Sequence, residues 1–107
     1  MKSDLPLVCD MNVFAPSQRE KHIQITTQLL QGVQSVQELD RGYGFTFPNE
    51  TMFVINIADF IANERLCCPF LEFILSVNPG NEPISLSLTG PEGTREFLRA
   101  ELDGAFR

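Results

Sequence analysis

A chain of 107 residues that is 43% apolar and carries nine Phe has the material for one hydrophobic core, which excludes intrinsic disorder. Fourteen acidic against eight basic side chains leave a net charge of −6, the wrong sign for nucleic acid or an anionic membrane surface. No stretch nears the roughly 18 apolar residues of a membrane span, and the opening MKSDLPLVCD lacks the apolar run of a secretory signal, so the expected compartment is the cytoplasm.

Residues 1–16 read as an extended N-terminal arm, because Pro6 and Pro16 disfavour helix in the residues before them. A short strand or ordered arm is expected around residues 7–14. Ser17 and Glu20 have the S-x-x-E spacing of a capping box, which starts a first helix running to about Gly32. Ile23, Leu29, Leu30 and Val33 give it an apolar stripe, with Ile25 at the edge. A hairpin follows, with strands over 33–39 and 43–47, and Asp40-Arg41-Gly42 suits a three-residue loop with a left-handed glycine. Tyr43, Phe45 and Phe47 alternate with Gly44 and Thr46, the period of a half-buried strand.

A second helix is expected from a cap at Asn49 or Thr51 to about Leu66. Phe53, Val54, Ile57, Ala58, Phe60 and Ile61 form its apolar face, and Asn56, Asp59, Asn63 and Glu64 its wetter side. A third strand over 70–77 places Leu71, Phe73, Leu75 and Val77 on one face. Asn78-Pro79-Gly80-Asn81 suits a type II turn, and Ile84, Leu86 and Leu88 mark a fourth strand. Pro91 is placed to open a last helix with Phe97, Leu98 and Leu102 inward and Arg95, Arg99 and Glu101 outward. The order is α-ββ-α-ββ-α in a single domain over 1–107. The expected fold is an α+β two-layer sandwich, with an antiparallel sheet of two hairpins and the helices on one face.

Chemistry concentrates in Glu64-Arg65-Leu66-Cys67-Cys68-Pro69-Phe70. Residues three and four apart share a helix face, so Glu64 lies beside Cys67 and, if the last turn holds, Cys68. Arg65 is a further site candidate, three residues before Cys68. A helix C-terminus and Glu64 both disfavour a thiolate, so neither cysteine reads as an activated nucleophile. Packing alone is the plain alternative for buried cysteines. Three cysteines, two of them adjacent, do not form a disulfide framework, and free thiols are expected. Both adjacent sulfurs reach one metal only if the helix breaks at Cys67, which Pro69 permits. Cys9 and His22 are the accessory ligands, although a lone histidine beside Lys21 reads first as a solvated side chain. Thiolate, imidazole and carboxylate together suit zinc, copper(I) or mercury(II).

The stretch over 64–73 resembles a group of small bacterial proteins of uncharacterised function that carry E-R-x-C-C-P-F-x-x-F. The likeness extends to Cys9-Asp10, Arg19 and His22, Gly42-Tyr43-Gly44-Phe45, Thr89-Gly90-Pro91-Glu92-Gly93 and Glu96-Phe97-Leu98. The resemblance implies a bacterial origin and supplies no catalytic residues. Three functions remain open. The first is a domain that binds a metal ion or a small thiol-reactive ligand through Cys67, Cys68, Cys9, His22 and Glu64. The second is a homodimeric interaction module with packed cysteines. The third is a thiol enzyme using Cys67 or Cys68, with Arg65 binding an anionic substrate.

Overall fold

The computed structural model describes residues 7–106. A 3-10 turn, Met11–Val13, precedes helix α1, Pro16–Gln31; strands β1, Ser35–Leu39, and β2, Gly42–Phe47, lead to helix α2, Thr51–Cys67. Strands β3, Glu72–Ser76, and β4, Ile84–Thr89, are followed by helix α3, Thr94–Glu101, and a closing 3-10 turn, Asp103–Phe106. The α+β order expected from the sequence is the order observed. The arm is not extended throughout: Met11–Val13 is a 3-10 turn capped by Asp10, no strand forms over residues 7–14, and residues 1–6 lie outside the described part.

One antiparallel sheet runs in the order β1-β2-β4-β3, so the two hairpins join edge to edge through β2 and β4. Tyr43 pairs with Leu88, Phe45 with Leu86 and Phe47 with Ile84, and all six are buried. Their neighbours Gly44, Thr46, Ser85 and Ser87 occupy the other face, as the period of two requires. Val77 falls one residue beyond β3 and is exposed, not on the core face. The helices cover the apolar face, α1 against α2 and α3 against β2.

Local differences from the sequence reading have physical causes. Helix α1 starts at Pro16, where a fixed φ and a missing N–H cost nothing, so Ser17 lies inside the helix. Its cap is Ala15, whose N–H donates to Gln18 Oε1 at 3.1 Å. The buried stripe of α1 is His22, Ile25 and Leu29, which turns Ile23 outward. Helix α2 is capped by Glu50, not by Asn49 or Thr51. The Asn49 amide donates instead to the carbonyls of Gly80 and Glu82, at 3.2 and 2.8 Å, and secures the β3–β4 turn.

Leu39 pairs with Gly42, so the first hairpin loop has two residues, not three, and Gly42 is not left-handed. A Cβ at Gly42 would stand 1.8 Å from the Leu88 carbonyl oxygen; close approach of β4 is what requires glycine. Gly80 has φ +78°, as a type II turn needs. Helix α3 begins three residues after Pro91: the Thr94 N–H and hydroxyl both donate to the Pro91 carbonyl, and Gly93, at φ +98°, is the cap.

Candidate metal centre

Ile57, Phe60, Glu64 and Cys67 are spaced by three, four and three along α2, so they form one stripe, and all four are buried. Glu64 therefore sits in the core face of α2, not on its wetter side. The helix ends at Cys67. Cys68, with φ −123° and ψ 71°, has left helical geometry, as a residue before proline tends to do. Its N–H still donates to the Glu64 carbonyl at 2.7 Å. This break lets both adjacent sulfurs turn toward Glu64. The Cys67 and Cys68 sulfurs are 3.7 Å apart, and Cys68 Sγ is 3.3 Å from Glu64 Oε2. The Cys67 thiol lies 3.6 Å from the Glu64 carbonyl oxygen and 3.7 Å from Oε1.

The arm supplies the third sulfur. Cys9 is bonded to Cys68 in a disulfide spanning 59 residues, which leaves Cys67 as the free thiol. The expectation of free thiols throughout is thereby corrected. Cysteine number and compartment do not determine pairing here, because the fold sets the arm against the end of α2. The Asp10 N–H donates to the Cys67 carbonyl at 2.8 Å. Arg19 donates to the carbonyls of Met11 and Phe14, at 3.3 and 3.4 Å, and anchors the rest of the arm on α1. One donor atom each from Cys9, Glu64, Cys67 and Cys68 fit within 4.8 Å of one another, so the group could hold a metal ion.

His22 stands behind this group. It is buried, not solvated as its neighbour Lys21 suggested. Its Nε2 is 2.7 Å from Glu64 Oε1, a buried hydrogen bond between α1 and α2. The ring stacks on Phe60, with centroids 5.7 Å apart, and tilts against Phe14 at 5.4 Å. Its Nδ1 is buried without a hydrogen-bond partner. Arg65, on the neighbouring helical position, is exposed and stands outside the four-donor group.

Burial, followed by the charge of Glu64, pushes the Cys67 thiol up to about 12. Glu101, outward-facing by its sequence pattern, is a neighbour that the pattern does not reveal. Its carboxyl is raised above the ordinary range by partial burial and then by Glu64, and it contributes to raising Cys67. A cleft of about 240 Å³, lined by Met11, His22, Thr26, Leu30, Glu64 and Glu101, lies beside the pair. No helix among the described residues is long and apolar enough to cross a membrane. No family model, curated protein or solved structure matches the chain.

Proposed function

We propose that the chain binds a soft or borderline metal ion, of the class of zinc, copper(I) or mercury(II), through the thiolates of Cys9, Cys67 and Cys68 with Glu64 as fourth donor. The observation that carries this reading is the spacing of three of the donors. A tetrahedral ion with metal–sulfur bonds near 2.3 Å holds two sulfurs about 3.8 Å apart, and a sulfur and a carboxylate oxygen about 3.5 Å apart. The corresponding distances here are 3.7 Å between Cys67 and Cys68 and 3.3 Å between Cys68 and Glu64, while Cys9 joins the set only once its disulfide with Cys68 is reduced. Three sulfurs select against hard ions such as magnesium and calcium. His22 serves as the outer partner of Glu64, fixing the carboxylate through their hydrogen bond.

A reducing cytoplasm would supply the thiols in the form a metal needs. The raised Cys67 value tells against Cys67 as the nucleophile of a thiol enzyme, since a nucleophilic cysteine needs its thiolate near neutral pH. The test is native mass spectrometry of the fully reduced chain with one equivalent of zinc(II). One ion per chain is expected, with weaker retention in Cys67→Ser. A reduced, folded chain that takes up no zinc, copper(I) or mercury(II) would overturn the reading.

A further inference from the structure

Two of the three sulfurs in the proposed metal site are also the two partners of the disulfide. A metal needs both as thiolates, whereas the disulfide removes their charge and bonds them to each other. One thiol and one carboxylate then remain, too few for a closed tetrahedral site. The two states compete for the same atoms.

We propose that the Cys9–Cys68 disulfide is the closed state of a redox-gated metal site, so that the reduced chain holds the ion and a disulfide oxidant expels it. This inference rests on the metal-binding reading above. The step is a thiol–disulfide exchange with a small organic disulfide, RSSR. Cys9 is the one sulfur donor of the group that is not fully buried, so it meets the oxidant first. Its thiolate attacks one sulfur of RSSR, forms a Cys9–S–S–R bond and releases RS⁻. The Cys68 thiolate then attacks the Cys9 sulfur and displaces the second RS⁻. Two cysteine thiolates have lost two electrons, and RSSR has gained two electrons as 2 RS⁻, which take two protons from solvent to become 2 RSH. Two metal–sulfur bonds are given up and the ion leaves. Reduction runs the same path backwards, with an incoming thiolate attacking at Cys9.

The scaffold makes the change local. The Asp10 N–H to Cys67 carbonyl bond and the two Arg19 bonds hold the arm independently of the sulfurs, so the donors stay together when the disulfide opens. Cys67, 1% exposed, is sheltered from the oxidant and left as the free thiol.

The test uses the wild-type chain in two states. One is fully reduced and freed of reductant under nitrogen. The other is treated with oxidised glutathione, and its disulfide is located by peptide mapping. Zinc affinity is read by competition with a chromophoric chelator, with circular dichroism to check that both states are folded. The reduced chain is expected to bind one zinc, and the oxidised chain to bind it more than about 100-fold more weakly, since losing outer-shell partners alone costs 10- to 100-fold. Reduced glutathione should restore binding. Equal affinity in the two states would overturn the gate and leave the metal reading standing. Oxidation that joins any pair other than Cys9 and Cys68 would also overturn the gate. No binding in either state would overturn both.

Discussion

At the scale of the residue, the site depends on a charged side chain placed where the helix pattern calls for an apolar one. Glu64 occupies the same stripe as Ile57, Phe60 and Cys67, although its residue type reads in the sequence as part of the wetter side with Asn56, Asp59 and Asn63. What the sequence could not show was its partner, because His22 is 42 residues away and meets Glu64 only through the packing of α1 on α2. Cys67 carries a consequence for stability. Its folded value, near 12, lies above the ordinary 9.0, so the unfolded chain loses that thiol proton first as pH rises. The native state then binds more protons than the unfolded state, and the stabilising contribution, full below pH 9, is lost between pH 9 and 12. The slope from one group is at most about 1.4 kcal/mol per pH unit. Urea titrations of metal-free protein from pH 8 to 11 should show wild type losing stability faster than Cys67→Ser. Parallel curves would mean that the thiol ionises as easily in the folded chain as in the unfolded one.

At the scale of the element, periodicity of two and of 3.6 was enough to place three helices and three strands that each have an apolar face, whereas β1, exposed along most of its length, is placed by its hairpin with β2. The termini of the elements were less legible. Helix α1 is set by Pro16 rather than by the Ser17-x-x-Glu20 spacing, and α3 by the Thr94–Pro91 turn, since competing caps a few residues apart differ by little free energy. Glycines divide into two kinds, and the sequence does not distinguish them. Gly80 needs its left-handed φ of +78°, and a Cβ there would meet nothing within 4 Å, so Gly80→Ala should cost only the backbone strain, about 1–2 kcal/mol. Gly42 has ordinary φ, but a Cβ there would collide with the Leu88 backbone at the β2–β4 junction that unites the hairpins. Gly42→Ala should therefore be the more damaging change, by more than about 2 kcal/mol, because the strands must part to admit it. Thermal unfolding of the two variants decides this, and an equal loss in both would show that the β2–β4 contact yields without cost.

At the scale of the whole molecule, the sheet and its helices account for the core, and the disulfide does something different: it ties the arm to the end of α2 across 59 residues of chain. Closing a loop of that length restricts the unfolded ensemble by about 4 kcal/mol in the chain-entropy account, and measured values for disulfides run near 2–4 kcal/mol. Reduction should lower the stability of the chain by that amount while leaving the native spectrum unchanged, since the arm keeps its backbone bonds to Cys67 and Arg19. A metal bound at the same sulfurs would replace one cross-link with another. Because the four donors converge only in the folded chain, zinc should stabilise the reduced protein by mass action, recovering about 2.7 kcal/mol at a free concentration one hundred times its dissociation constant. It should add little to the oxidised protein, whose donors are already spent. Urea unfolding followed by circular dichroism, with and without reductant and with and without zinc, gives all four stabilities. If zinc stabilises both redox states alike, the ion is held elsewhere than at Cys9 and Cys68. If it stabilises neither, the convergence of sulfurs serves only to cross-link the arm, and the energetic role of the site is wholly that of the disulfide.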